Sequence, residues 1–540
     1  MMLAPARTNS NRRPVARIMP LPFPTKGWNA KLPLASMPQD YAVELRNWFP
    51  QPGYGEVRRG FQRWAWSIGA DVPVETLMAW RGPASSKMFA IADGTIWDIT
   101  LQQAATSAAT GLTLSRCQHV NHTTSANHFL FVVNGQDAPQ HYNGSAWAAP
   151  TITGVTPEDI VHVNSHKKRL WFTLVDSTTA YYLGTEAVAG AATAFALGSL
   201  FTRGGYLMAM ATWTRDGGSG SDDYAVFISS EGQIALYQGT DPSSANTWAL
   251  VGTFDVPPPI GRRCFFKYGA DLGLITVEGV FPLSQLLSVD QSQSQRVAMT
   301  DDITPAFATA FQSYGSNFGW EACVYPKGTR LIVNIPTAEN SQAKQYVMNT
   351  VTGAWCEFDS HNANCWVVFG DNLYFGANDG TVYKADSGSI DYDTEIVAVG
   401  QTAYTAVKSP MVKQWKMVRP IVTTSGSSVP EVGVSVDFQE TDSLATTGEA
   451  TAATARFDTA VFDAAVFASD SNNISEWVGV TGIGVFGSIK FRGETGETKT
   501  GSTLWGSAVW GVSSWVESTS ADEIIRVNGF MLMTEVGGHL

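Results

Sequence analysis

The chain runs to 540 residues, 44% hydrophobic and 15% charged, with 18 Trp, 16 Tyr and 27 Phe, which is too apolar and aromatic for a disordered polypeptide. No stretch reaches the roughly 18 uninterrupted apolar residues that a membrane-crossing helix needs, and a net charge of −13 argues against a protein that grips nucleic acid through many phosphate contacts. Five scattered cysteines, Cys117, Cys264, Cys323, Cys356 and Cys365, do not make a disulfide scaffold, so reduced thiols are expected.

Residues 1–26 read as an extended basic arm. Arg7, Arg12, Arg13, Arg17 and Lys26 fall in a stretch without acids, and Pro5, Pro14, Pro20, Pro22 and Pro24 break any apolar run, so a cleaved secretory signal is not expected. Such a segment cannot form a core and is either a solvated tail or an arm that orders against an acidic neighbour. The acidic end of the chain, residues 421–540, is the natural acceptor, on an adjoining subunit or component. Residues 27–75 follow as a separate N-terminal segment.

From 76 to 400 the sequence is a series of short runs rich in branched and aromatic residues, each closed by Gly, Asn, Asp or Ser. Met88–Trp97, Phe129–Gly135, Arg169–Leu174, Ala225–Gly232, Leu274–Gly279, Arg330–Asn334 and Trp366–Gly370 are the clearest, and strands are the natural reading. One helix is expected, at Thr304–Phe311, with Thr304 as cap, Pro305 in the first turn and Phe307 and Phe311 on one face. A turn followed by tryptophan recurs at Trp147, Trp248 and Trp355. With the strand pairs between, this gives about seven units of about 46 residues, the size of β-propeller blades. The expected fold is all-β, with a propeller-like body of six or seven blades; a pair of β-sandwiches is the alternative.

Residues 401–540 read as an additional C-terminal β domain. Phe457, Phe462 and Phe467 recur every fifth residue, as do Trp505, Trp510 and Trp515. Five matches neither the helical nor the strand period, so consecutive turns that return each ring to a common ladder are expected. Core packing explains such rings; a carbohydrate-stacking strip is the functional alternative.

No motif carries a clear chemistry. Gly482-Ile-Gly-Val-Phe-Gly487 matches GxGxxG, but Ser488–Arg492 behind it reads as a strand where a dinucleotide site needs a helix, so these glycines are expected in turns and bulges. Cys356, His361 and Cys365 lack zinc spacing and read as buried thiols near an exposed histidine. The acidic, glycine-rich loop Asp216–Asp223 lacks the ligand alternation and distal Glu of an EF-hand and reads as an inter-strand loop. There is no GxSxG, Walker loop or HExxH, so no catalytic, metal or cofactor residue is assigned and a non-enzymatic protein is expected.

The stretch after the arm contains Gly27-Trp28-Asn29, Asn47-Trp48-Phe49-Pro50 and Val57-Arg58-Arg59-Gly60-Phe61, and the chain closes on Val527–Gly538. In that order, before a propeller-like body, these elements resemble the tail nozzle proteins of short-tailed bacteriophages, the group of tail tubular and packaged-DNA-stabilisation hub components. The resemblance covers about 35 residues at the front and about the last 40. It implies a hexameric ring below the portal and adaptor proteins, contacting tail fibres or tail-tip proteins, that prolongs the DNA channel, retains the packaged genome and serves its ejection. Double-stranded DNA would pass a lumen of net negative charge without sequence-specific binding. It also implies a virion location, with assembly in the bacterial cytoplasm. Arg7, Arg12, Arg13, Arg17, Trp28, Asn47, Trp48, Phe49, Arg58 and Arg59 are the residues expected to serve assembly. A carbohydrate-binding or glycan-hydrolysing propeller and a receptor-binding tail component are the rival readings.

Overall fold

A computed structural model describes residues 16–69, 71–216, 221–425, 428–440, 443–446, 472–496 and 523–536. The chain divides into two compact units, one of Met1–Trp28, Leu32–Arg58 and Glu395–Leu540, the other of Asn29–Lys31 and Arg59–Thr394. We call them the terminal unit and the propeller unit.

In the propeller unit, seven small antiparallel sheets follow one another among the described residues. The first four have four strands each: Thr76–Arg81, Ser86–Ala92, Thr95–Asp98 and Thr106–Thr110; Gln118–Thr123, His128–Val133, Gln140–Tyr142 and Trp147–Ala148; Ile160–His166, Arg169–Leu174, Thr179–Tyr182 and Thr193–Ala196; Leu207–Asp216, Ser221–Ser229, Gln233–Gly239 and Trp248–Asp255. The fifth has three strands, Phe265–Tyr268, Asp271–Thr276 and Gly279–Pro282; the sixth has Glu321–Tyr325, Arg330–Ala338, Gln342–Asn349 and Trp355–Phe358. The seventh takes Ala363–Phe369, Asn372–Ala377 and Val382–Ala385 from its own stretch and its outermost strand, Phe61–Trp66, from before the first blade.

Neighbouring blades touch in turn, and Ala363–Phe369 packs against Thr76–Arg81, closing the ring. The body is therefore a seven-bladed β-propeller whose last blade is completed by a strand from the other end of its sequence. A small sheet cannot bury both faces alone, so the wedges between blades hold the core. Phe89, Trp80, Leu130 and Tyr142 fill the first wedge, and Phe131, Phe172 and Leu170 the second. The recurrent tryptophans mark the outermost strands of the second, fourth and sixth blades. Trp147 meets Phe89 of the preceding blade at 5.1 Å, and Trp248 stacks on Trp171 of its preceding blade at 5.6 Å.

The expected helix is present as Thr304–Tyr314, with Phe307 and Ala310 buried. Thr304 is not its cap. The helix starts one residue after Ile303, and the Thr304 hydroxyl donates backwards to the carbonyls of Thr300 and Asp301.

In the terminal unit, Lys413–Thr424 and Ile525–Val536 pair along their length. Ile525–Val536 also takes Ala16–Pro22 and Tyr54–Val57 as neighbours, and Lys413–Thr424 takes Val478–Gly484 and Asn472–Ile474. A second set of strands joins Ala42–Arg46, Thr394–Thr402, Gly487–Thr495 and Glu431–Val436. Phe491 of the second set meets Phe530 of the first at 5.1 Å.

Three expectations about organisation are corrected here. Residues 27–75 are not a segment of their own: Leu32–Arg58 belongs to the terminal unit, and the residues from Arg59 build the propeller's seventh blade. The C-terminal β domain is not formed by 401–540 alone but needs strands from the front of the chain. The described end of the arm is a strand, Ala16–Pro22, in register with Gly529–Glu535 of the same chain. Backbone hydrogen bonds to a long C-terminal strand satisfy groups that a free tail would leave to water.

Candidate functional site

Most of the residues that carry the resemblance fall in the terminal unit, while Asn29 and Arg59–Phe61 belong to the propeller unit. Asn47 adopts a positive φ of 58°, a region its short polar side chain tolerates better than most, and this turns the chain sharply between Ala42–Arg46 and Trp48–Gln51. Its side chain is buried, donates Nδ2 to the Val397 carbonyl at 2.8 Å, and accepts from Arg58 Nε at 2.8 Å. The Arg58 backbone N–H also donates to the Asn47 carbonyl at 2.9 Å. Trp48–Gln51 then pairs with Tyr54–Val57 across Pro52-Gly53, where Pro sets the first turn angle and Gly53 supplies φ +92°.

Trp48 is fully buried and packs on Phe491 at 5.4 Å and Phe23 at 6.5 Å; Phe23 meets Phe491 at 5.9 Å. Gly55 is required beside this cluster, because a Cβ there would stand 1.9 Å from the Phe23 ring. Phe49 is buried, and Trp28 is half-buried with a bridge to Ala42. Arg526 of the C-terminal strand pairs with Glu56 at 2.9 Å. Arg17 is exposed, opposite Thr534. Arg59 belongs to the propeller unit, where its charge reaches Tyr325 near the partly buried Arg330–Asp386 pair. Arg7, Arg12 and Arg13, and the rings Phe457, Phe462, Phe467, Trp505, Trp510 and Trp515, lie outside the described residues.

At one end of this unit Lys413 is buried, and its ammonium donates to the carbonyls of Ser409, Met411 and Val485 at 2.6, 2.9 and 2.8 Å. Asp437 accepts from the backbone N–H groups of Val485 and Phe486. Loops held in this way leave Met411, Val412 and Phe438 exposed, and beside them Ile483, at the end of the strand Val478–Gly484, is 72% exposed. Of the GxGxxG glycines, Gly482 and Gly484 lie in the strand Val478–Gly484, which pairs with Lys413–Thr424, and Gly487 opens Gly487–Thr495 in the second set of strands, so a strand and not a helix follows them, as expected.

Along the propeller axis lies a cavity of about 480 Å³ lined by the first strand of every blade. Arg263 from the fifth blade pairs with Glu321 of the sixth at 3.1 Å and donates to the carbonyls of Glu75 and Cys117. Burial pushes the Glu321 carboxyl up, against the pull of Arg263. Beside it, His119-Val120-Asn121 and His162-Val163-Asn164 repeat on adjacent blades. This tripeptide recurs one blade length apart, a signal present in the sequence that the search for ligand spacings passes over.

Other polar groups are spent structurally. His361 is buried among Phe61, Trp366 and Phe375, not exposed as expected, because its ring completes an aromatic wedge. Cys356 and Cys365 donate to different carbonyls, those of Val347 and Val74. Burial pushes the Cys117, Cys264 and Cys323 thiols up to about 12. Asp223 of the acidic loop accepts from Lys167 at 2.7 Å and Thr214 at 2.8 Å; residues 217–220 of that loop lie outside the described residues. Among the described residues no helix is long and apolar enough to cross a membrane.

His166 predicts a pH dependence of stability. It is buried, contacts Thr212 Oγ1 at 3.1 Å, and is held down at about 4, first by burial and then by Lys167, with Asp223 opposing. A group whose folded pKa lies below its unfolded value gives stability that is complete above about pH 6.5 and is lost as the pH falls toward 4, here on the order of 3 kcal/mol. Urea unfolding between pH 8 and 4 should show this decline, which His162 and other buried histidines share, and His166→Gln should make it shallower by about 3 kcal/mol; an equally steep decline in the variant would refute the assignment.

No family model matches the chain, and no curated protein matches it. Among solved structures, it is similar to BBS1N in its complex with ARL6DN, with 11% identity, a TM-score of 0.37, and coverage of 61% of this chain and 97% of that one. It is similar to Sqt1 of Saccharomyces cerevisiae at 11% identity and TM-score 0.33, covering 60% and 99%. BamB of Moraxella catarrhalis gives 11%, 0.30, and coverage of 55% and 78%. These likenesses are low in identity and superposition; the closed ring of seven sheets is what makes the 59–394 body a propeller.

Proposed function

We propose that the chain is a structural, non-enzymatic subunit of a short-tailed phage tail, a nozzle protein that repeats around a ring, most simply a hexamer, below the portal and adaptor proteins. In this role it extends the DNA channel, retains the packaged genome and serves its ejection. The observation that carries this reading is that the two stretches resembling nozzle proteins, at opposite ends of the sequence, fold into one unit. Tyr54–Val57 and Ala16–Pro22 hydrogen-bond to Ile525–Val536, and Trp48 packs on Phe491. The larger part of the resemblance thus falls on one packed body, with Asn29 and Arg59–Phe61 in the propeller unit. The exposed Met411, Val412, Phe438 and Ile483 supply apolar surface of the kind that subunits bury on assembly. The net charge of −13 suits a channel wall from which DNA slips free.

Sedimentation of the purified full chain tests the reading: a ring-sized species is expected, and a monomer at every concentration would sink it. The basic arm is tested separately. Removing residues 2–25 takes away the strand Ala16–Pro22 and the buried Phe23, so that deletion should unfold the terminal unit whatever the arm does. Removing residues 2–15, with Arg7, Arg12 and Arg13, spares that strand. It should weaken ring formation at low salt and make little difference at high salt, where charge pairing is screened; a ring of unchanged stability at low salt removes the arm from assembly.

A further inference from the structure

The axial cavity carries more positive charge than its walls neutralise. Three cations line it, Arg262, Arg263 and Lys267, against one carboxylate, Glu321, which Arg263 already engages at 3.1 Å. Arg262 donates to the carbonyls of Leu207 and Met208, which satisfy its hydrogens without cancelling its charge. Asp176, the acid whose field Arg262 feels, is exposed and does not line the cavity. Lys267 has no ion-pair partner among the described residues. The excess of positive charge in this concave site attracts an anion.

The same wall presents imidazole groups that no protein atom engages among the described residues. His119 and His162 have no hydrogen-bond partner among the described residues, and the Nδ1 of His162 is buried without one. Each lies two residues before an asparagine that bonds a neighbouring blade. Asn121 donates to the Ala79 carbonyl and accepts from the Arg81 N–H, while Asn164 donates to Thr212. The first asparagine anchors to the preceding blade and the second to the following one, and both histidines line the cavity from the first strands of adjacent blades. The positive field registers on His162, which burial, then Arg262, holds down at about 3. Neutral imidazoles still offer one N–H each. A volume of about 480 Å³ is of small-molecule size and admits no duplex DNA.

We propose that this cavity binds a small oxyanion, free or as the phosphate group of a small molecule, through Lys267, Arg262 and the N–H groups of His119 and His162. The site is separate from the terminal unit on which the nozzle reading rests, and it stands whether or not that reading does.

Calorimetric titration of the full chain with inorganic phosphate at low ionic strength is the test, with glycerol 3-phosphate as a second probe. Saturable one-site binding is expected, weakened about tenfold or more in Lys267→Met and further in Lys267→Met/His119→Gln, each removing a charge-assisted or neutral donor. Tighter binding of glycerol 3-phosphate would place the anion on an esterified molecule, and equal binding would favour the free ion; both uphold the site. Lys267 is exposed and unpaired, so the single variant should keep the wild-type circular dichroism and answer the question even where the double variant does not fold. Absence of phosphate binding to the wild type, or unchanged affinity in folded Lys267→Met, overturns the proposal.

Discussion

Trp48→Ala should destabilise the terminal unit by about 3–5 kcal/mol, the usual cost of removing a large buried aromatic. The indole is fully buried against Phe23 and Phe491, so three contributions to one cluster fail together: the arm's end, the front hairpin and a strand of the C-terminal region. The chain has two compact units, so urea unfolding should show the loss in one transition while the transition of the propeller unit stays in place. The released Phe23 should also free Ala16–Pro22, seen as loss of amide protection at 16–22 and at its partners 529–535. Equal displacement of all transitions, or none, would contradict this account of how the two chain ends are joined.

Arg263→Met is expected to be as damaging in the propeller unit, on the order of 3–5 kcal/mol, because removing one partner of a buried pair strands the other. Glu321 would lose its cation, and the carbonyls of Glu75 and Cys117 would each lose a donor. The loss should depend on pH with a definite sign. Burial raises the Glu321 carboxyl in the folded protein, so protonation favours folding, and the stability it contributes below its unfolded pKa is lost as pH rises through the folded value. Without Arg263 that folded value climbs further. The variant should therefore lie nearest the wild type in acid and fall away toward neutrality, and adding Glu321→Gln should recover part of the loss. A pH-independent difference between wild type and Arg263→Met would refute the buried-charge explanation.

The propeller was legible because its signals are local. Branched runs ended by turn residues gave the strands, and Trp147, Trp248 and Trp355 marked outermost strands of alternate blades, since a ring entering a strand at that point closes the wedge against its neighbour. Pro305 marked the helix, although Thr304 turned its hydroxyl back on the preceding carbonyls. The make-up of the terminal unit was not legible. Pairing of Ala16–Pro22 with Gly529–Glu535 joins residues some five hundred positions apart, and no local propensity encodes such a choice. His361 misled for a related reason: its neighbours in sequence are polar, while Phe61 and Phe375, which cover it, come from other strands. Asn47-Trp48-Phe49 and Arg58 were singled out from sequence and do meet around one turn, whereas Arg59, the next residue, belongs to the other unit. The axial site escaped the sequence reading because its residues come one or two at a time from each blade, and only the repeated His-Val-Asn hinted at it.

The most direct measurement of the nozzle reading is electron-microscopic imaging of the purified chain, alone and mixed with a portal–adaptor complex of a short-tailed phage. The account predicts a ring with an axial opening that docks coaxially on that complex. A stable monomer that leaves the complex unchanged would contradict it.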